Sequence, residues 1–502
     1  MKKILFLLIT GLTVSVSHSQ EISDAVRYSQ DNLTGTARFR AMSGAFGAVG
    51  GDLSAMSVNP AGSAIFNNNQ AGITLSNQNL VNSSKYFNNN QTQDKDNSFI
   101  LNQAGGVFVF KDRNPNNGWN KIAIGASYEN TNNFNNNTFS AGWNPTNSIA
   151  NYFLAYANGI ALGDITNIPY RDQFYDEQQA NFGYYGFLIN PVNPNNNDNT
   201  QYTSNVPAGG NYYQENNVYE RGYNSKVSFN IATSYNDRIY FGANLNVHVT
   251  DYRRSSSFYE YNNNPLTGTP TISDATFNNE LYTYGNGFSF QLGAIAKVTE
   301  ELRLGLAYES NTWYELYDEV SQSLSSTRQA IGGPELYKTV NYNLVNVYDP
   351  YTLQTPGKFT FSGAYIFGKS GLISIDYSIK DYSNTKFKPT SDSGFRGVNT
   401  RINDQLTKNG ELRVGAEYKI KQLSLRGGYR FEGSPYKNGT TIGDTNSFSG
   451  GLGYNFGGTK LDLAYSYLER KSNQPFFSQG FTDGANITSK LNNVTLSLLF
   501  EL

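Results

Sequence analysis

From residue 409 to the last residue, apolar and polar side chains alternate in one segment after another. Leu412, Val414, Ala416, Tyr418 and Ile420 share one face, and Arg413, Gly415, Glu417 and Lys419 share the other. After Lys421-Gln422 the pattern restarts, with Leu423, Leu425, Gly427, Tyr429 and Phe431 opposite Ser424, Arg426, Gly428, Arg430 and Glu432. Ile373, Ile375, Tyr377 and Ile379 behave alike, as do Leu461, Leu463, Tyr465 and Tyr467. A period of two is strand periodicity, and a helix cannot keep such faces apart. Segments of this kind fall at roughly 70–77, 99–110, 119–130, 224–236, 238–252, 282–297, 301–318, 356–368, 371–386, 409–420, 422–433, 446–456, 459–471 and 489–502, fourteen in all. Many are about 10–14 residues long, which is long for a soluble sandwich and suits strands tilted through a bilayer.

The connections alternate long and short. The short ones are 111–118, Asp237 alone, 298–300, 369–370, Lys421 alone and 457–458. The long ones are 78–98, 131–223, 253–281, 319–355, 387–408, 434–445 and 472–488. Short periplasmic turns and long extracellular loops are the asymmetry of transmembrane barrels, and a soluble β-sandwich has no reason to obey it. The expected fold is an all-β, 14-stranded antiparallel transmembrane barrel closed by Val494, Leu496, Leu498, Phe500 and Leu502. Asn-rich tracts at Asn88–Asn90, Asn133–Asn137 and Asn193–Asn199 fall in long loops, and Ile149–Ala161 reads as a short helix or insert.

Composition agrees. Charged residues are only 16% of the chain and the formal net charge is −2, which gives no reason to expect a nucleic-acid partner. The chain has no Cys, which excludes disulfides, thiolate metal sites and cysteine nucleophiles. Met1-Lys2-Lys3, the apolar stretch from Ile4 and the small residues Ser17 and Ser19 read as a signal peptide over 1–19, leaving Gln20 first. No later apolar run is long enough for a membrane helix, so an exported chain of this kind enters a membrane only as a barrel.

Residues 20–69 do not alternate, and the barrel domain is expected over 70–502. The stretch Ala41–Asp52 is mostly small residues, and Asn59-Pro60 favours a turn. A compact segment ahead of a barrel is a candidate plug, because a lumen fourteen strands round needs filling or conducts. The motif residues are Met42, Gly44, Ala45 and Phe46, then Asn59, Pro60, Ala61 and Gly62.

With Gly50-Gly51-Asp52 between them, these two stretches resemble the N-terminal hatch of the FadL/TodX outer-membrane transport proteins. Thr355-Pro356, Gly363-Ala364-Tyr365, Asp376-Tyr377, Asp381-Tyr382, Leu412–Tyr418 and Leu425–Tyr429 are similar too. The Asn-rich, Tyr-rich style resembles members from the Bacteroidetes. The resemblance implies a 14-stranded barrel with an N-terminal plug in the bacterial outer membrane. It further implies passive uptake of hydrophobic or amphipathic small molecules, of the long-chain fatty acid or aromatic type. The expected partners are outer-membrane lipid and that ligand, with no cofactor and no enzymatic activity. The alternative is a structural or adaptor subunit of a larger outer-membrane assembly for secretion or protein insertion, with other outer-membrane proteins as partners.

If the apolar faces meet lipid, Arg413, Glu417, Lys419, Arg426, Arg430 and Glu432 point inward as a mixed charge ladder. They then hold the plug or bind the polar end of an amphipathic ligand. Other patterns carry little. Gly363–Ser370 fits the phosphate-loop expression but lies within strand alternation, with no helix after it. After loss of His18, His248 is the sole histidine, with Asp251 or Asp237 as the conceivable partner of a nucleophile. Its alternation places it on the polar face of its strand. No His or Cys cluster offers a metal site, and Met42 and Met56 supply haem ligation poorly.

Overall fold

The computed structural model describes residues 20–87, 91–112 and 118–502; the leader, with His18, and the Asn88–Asn90 tract lie outside the described residues. The alternating segments form one closed antiparallel wall. Its strands are β1 Gln70–Lys85, β2 Thr92–Lys111, β3 Trp119–Asn133, β4 Tyr212–Tyr235, β5 Ile239–Asn262, β6 Thr271–Lys297, β7 Leu302–Glu309, β8 Lys358–Phe367, β9 Gly371–Asp381, β10 Lys408–Ile420, β11 Leu423–Glu432, β12 Ile442–Asn455, β13 Thr459–Pro475 and β14 Gly484–Glu501. Each pairs with its neighbour in this order, and β14 closes on β1 from Gln70↔Glu501 to Lys85↔Asn486. Fourteen strands without an edge satisfy their backbone internally, the condition for crossing hydrocarbon.

The outward face carries a band of large apolar side chains, among them Ile122, Ile124, Ile375, Leu463 and Leu496. Phe229 and Ile231 are 55% and 57% exposed. A continuous band of this kind is untenable in water and natural against acyl chains. Rings gather at the short turns: Trp119 lies 5.2 Å from Tyr235, Tyr365 5.0 Å from Phe367, and Tyr454 4.6 Å from Phe456, between ring centroids. The short turns are tight because Asn236, Asp237 and Lys421 adopt positive φ in two of them, and Gly368 and Gly457 do so in the turns after Phe367 and Phe456. Among the described residues no helix is long and apolar enough to cross a membrane.

Several expected boundaries are corrected. β4, β5 and β6 run well beyond 224–236, 238–252 and 282–297, and most of the expected loop 78–98 is β1 and β2. Past the lipid band both sheet faces meet water or protein, so the polar-apolar period fades while the backbone ladder continues. The expected strand 301–318 is broken at 310–312, and Trp313–Gln329 continues it. Glu309 pairs with Gln291 and Trp313 with Phe288, so one extra residue sits in a bulge. The strand expected over 371–386 ends at Asp381, whose carboxylate accepts the Ser383 N–H at 3.1 Å and turns the chain.

Ahead of β1 lie three short helices: α1 Ile22–Ser29, α2 Ala37–Ala41 and α3 Ala55–Val58. Pro60–Ile65 adds a 3-10 turn. Nearly all of 33–64 is buried. The long 131–223 connection carries strand Asn136–Asn144 and helices α4 Ala150–Ala157, α5 Leu162–Asn167 and α6 Tyr175–Tyr185. Phe153 and Phe182 pack there against Phe258, Phe277 and Phe481, capping the long-loop side. Between that cap and the lumen, Val26 and Tyr28 of α1 pack with Tyr252, Tyr314, Phe387 and Ile402, the last from helix α7 Ser393–Gln405.

Candidate functional site

The segment 20–66 bonds to wall residues on every side. Gly35 N–H donates to Asn102 Oδ1 (3.1 Å) on β2, and Ser57 Oγ to Glu129 (2.6 Å) on β3. Asn244 of β5 donates to Met56 O (2.8 Å), Gln291 of β6 to Ser57 O (3.0 Å), and Arg303 of β7 to Val49 O (3.0 Å). Ser43 Oγ lies 2.8 Å from Ser449 Oγ on β12, and Ala37 N–H donates to Ser497 Oγ (2.7 Å) on β14. Partners on opposite sides of the ring mean that the segment crosses between facing strands of the wall.

The first motif folds on local geometry. Thr36 Oγ1 accepts the Phe39 N–H at 3.2 Å and starts α2. Ser43 (φ 50°) and Gly44 (φ 78°) then reverse the chain. The reversal aims the amides of Phe46 and Gly47 at Asp376 Oδ2 of β9, 3.0 Å from each. Phe46 packs on Phe39, with ring centroids 5.3 Å apart, and Met42 and Ala45 are fully buried. In the second motif Asn59 ties three things together. Its Nδ2 donates to Gly47 O (2.8 Å) and Ala294 O of β6 (3.1 Å), while its Oδ1 accepts from Ala61 N–H (3.1 Å). Pro60 opens the 3-10 turn, where a missing N–H costs nothing. Gly62 O accepts from Gly51 N–H at 3.0 Å and closes the loop between the motifs.

Wall glycines make room for this backbone. A Cβ on Gly242 would lie 2.4 Å from the Pro60 carbonyl carbon. One on Gly428 would lie 2.5 Å from that of Met42, and one on Gly415 would lie 2.6 Å from Met42 O. Alternation places Gly415 and Gly428 on the polar faces of their strands but does not show that they are notches, and Gly242 is not singled out by the sequence at all; repeated inward glycines are the available signal.

The charges sort into two groups separated by the Gly415↔Gly428 pair. Near the short turns, Arg38 of α2 grips Glu417 with two bonds of 2.8 and 3.1 Å, and Arg426 donates to the same carboxylate at 2.6 Å. Arg426 also pairs with Asp462, and Lys419, half-exposed beside the turn, reaches Glu417 at 3.6 Å. Deeper in, Arg413 pairs with Glu411 at 2.7 Å, and Arg430 bridges Glu411 and Glu432. Beside that quartet, Lys358 and Lys380 hold Asp31 of the N-terminal segment at 3.2 and 3.0 Å, and Lys358 also meets Glu309 at 3.1 Å. Arg38, Asp31, Lys358, Lys380, Glu411, Asp376 and Asp462 lie outside the charge ladder expected from the sequence.

Other patterns resolve simply. Gly363–Ser370 is the end of β8 and a turn into β9. His248 is buried, with Nε2 2.9 Å from Ser289 Oγ and Nδ1 3.3 Å from Tyr314 Oη, while Asp251 accepts from Tyr282. Among the described residues there is no cluster of His, Cys, Asp or Glu suited to a metal.

No curated protein matches the sequence. Among solved structures, a FadL homologue of Pseudomonas aeruginosa is similar with a TM-score of 0.55 at 13% identity, covering 94% of this chain and 99% of that one. The P. putida toluene transporter TodX is similar with a TM-score of 0.51, at 13% identity and with the same coverage. These likenesses concern the fold. The family model described as outer membrane protein transport protein (OMPP1/FadL/TodX) matches residues 241–495, just over half of the chain. With the closed barrel and its apolar band, that match places the protein in the bacterial outer membrane, as a member of the OMPP1/FadL/TodX family of outer-membrane transport proteins.

Proposed function

We propose that the protein is a passive channel for uptake of hydrophobic or amphipathic small molecules, with residues 20–69 as its movable plug. The observation that carries this reading is how the segment is held. It has no covalent tie beyond the chain itself, and separable ion pairs and single hydrogen bonds bind it to a wall notched to its shape. The two motifs, Met42–Phe46 and Asn59–Gly62, are the plug's fixing points in this account, and the pair of Glu417 with Arg38 is its clamp.

The wall supplies a sideways exit. The β2–β3 ladder ends at Gln103↔Glu129, although β2 continues to Thr92 and β3 to Asn133. Ser54, Ser57 and Gly35 of the plug bond to Gln103, Glu129 and Asn102 at that point, so a shift of the plug alters the wall where it is least laced. A cargo leaving there enters the bilayer without crossing the polar turns.

The absence of native Cys allows a clean test. Replacing Ser43 and Ser449, whose Oγ atoms are 2.8 Å apart, with Cys pins the plug to β12 when oxidised. Cells relying on this protein should then lose uptake of labelled toluene or dodecanoate and regain it with reductant. Equal uptake in both states would rule out a moving plug as the route.

A further inference from the structure

Asp31 stands out among the plug's anchors. It lies between α1 and α2 in a stretch without regular structure, and its side chain is 45% exposed. Its two cationic partners are more enclosed: the side chains of Lys358 and Lys380 are 17% and 14% exposed. Lys380 Nζ also donates to Ser29 O at 2.6 Å, so both of these bonds of Lys380 come from the N-terminal segment. The charges make the arrangement conditional. Lys358, Lys380 and Glu309 sum to +1 on the wall and Asp31 cancels it; Glu411, Arg413, Arg430 and Glu432 balance among themselves, Lys226 nearby is paired with Glu129 at 3.5 Å, and Arg470 beside Glu432 adds a further positive charge. Withdrawal of residue 31 therefore uncovers a largely enclosed ammonium that requires an anion. Partial withdrawal from bulk water in the lumen pushes the half-exposed Asp31 carboxyl up, but Lys380 and then Lys358 outweigh it and hold the group well below its ordinary range, so it is an anion at neutral pH.

The space around it allows exchange but not sharing. The adjoining cavity, bounded by Ser378, Tyr382, Asn409, Glu411, Arg430 and Glu432 besides Asp31 and the lysines, is about 20 Å³, room for about one water. A second carboxylate can enter only by replacing the first. Tyr382 belongs to the buried aromatic layer with Tyr28 and Tyr314, so an apolar tail gains that surface only when the N-terminal segment shifts.

We propose that Lys358 and Lys380 form a carboxylate-binding site whose resident occupant is Asp31, a tethered anion that an organic acid displaces, so that binding an acidic cargo frees residues 30–36 and loosens the plug. The inference rests on the uptake reading above and adds to it a selection between acid and neutral cargo.

Full-length protein in nanodiscs, probed with dodecanoate and dodecanol, tests it. Asp31→Asn keeps the shape and removes the competing charge. If Asp31 occupies the site nine-tenths of the time or more, that variant binds dodecanoate at least about tenfold more tightly, with dodecanol affinity unchanged. Lys358→Gln with Lys380→Gln abolishes any preference for the acid. In the unaltered protein, dodecanoate but not dodecanol raises amide hydrogen exchange at residues 30–36. An acid-to-alcohol ratio that is the same in all three proteins, or exchange indifferent to dodecanoate, overturns the inference while leaving dodecanol binding, and so the uptake reading, standing. Failure to bind either probe overturns the inference and also removes long-chain cargo from the uptake reading.

Discussion

Replacing Arg38 with Met isolates what one ion pair contributes to keeping the lumen closed. Met keeps an unbranched apolar stem but removes the fork that grips Glu417, together with the guanidinium's weaker contacts to Gly51 O at 3.4 Å and to the Phe46 ring, 5.1 Å from its centroid. The wall stays coherent, because Glu417 keeps Arg426 at 2.6 Å and Arg426 keeps Asp462. Hydrogen bonds to a charged group are worth about 1.5–3 kcal/mol each, and the two here share one acceptor and one desolvation cost. With the Arg38 side chain still 17% exposed, a net loss of about 2 kcal/mol follows, which raises the population of states with α2 detached about 30-fold. Single-channel recording in planar bilayers measures this as opening frequency. Lys460→Met is the control: its pair with Glu501 is about one-third exposed on both sides, and exposed pairs contribute about 0–1 kcal/mol. In the double-mutant cycle, Arg38→Met should cost much less in a Glu417→Gln background. An opening frequency matching Lys460→Met, or strict additivity in the cycle, would refute the clamp.

Gly242→Ala should admit a normal strand yet push Pro60 away, since the new Cβ meets its backbone carbon at 2.4 Å; faster hydrogen exchange over 55–66 with unchanged heat-modifiable gel migration of the barrel is the expected result. Asp376→Ala leaves the buried Phe46 and Gly47 amides without their acceptor and should weaken the first motif by about 1–3 kcal/mol, read as raised exchange at 44–50. Asp52, buried and accepting from Thr36 Oγ1 (2.8 Å) and Ser54 N–H (2.9 Å), is pushed up by burial despite Arg38. An acid raised in the folded state contributes stability that is complete below its ordinary pKa and lost as pH rises through the raised one. Asp52→Asn should therefore stabilise the plug at about pH 8 and make little difference at about pH 4, in exchange measured over 36–54; a pH-independent difference would contradict the assignment.

How much of this was readable varies with the environment of each residue. β10 and β11 declared themselves within two residues of their ends, because one face meets lipid and the other the lumen. β4 and β5 did not, because Tyr212–Tyr223 and Arg253–Asn262 have protein or water on both faces. The inward charges Arg413, Glu417, Arg426 and Arg430 were legible from alternation alone. Lys419 follows the same parity but sits beside the turn at Lys421, where inward and outward cease to differ, and is half-exposed.

Partners were the illegible part. Arg38 and Glu417 are separated by 379 positions, and Asp31 and Lys380 by 349, so nothing local records that they meet. The glycines at 242, 415 and 428 likewise look in one dimension like flexible strand residues, and only the passage of Pro60 and Met42 across them shows why a Cβ is excluded. By itself the chain's pattern determined a lipid-facing barrel with long loops on one side, since period and solvent contact are properties of single strands. Which charges meet, Arg38 with Glu417 and Asp31 with Lys358 and Lys380, was decided only when closure of the ring brought distant segments within a few ångströms, in surroundings where an enclosed charge needs a partner.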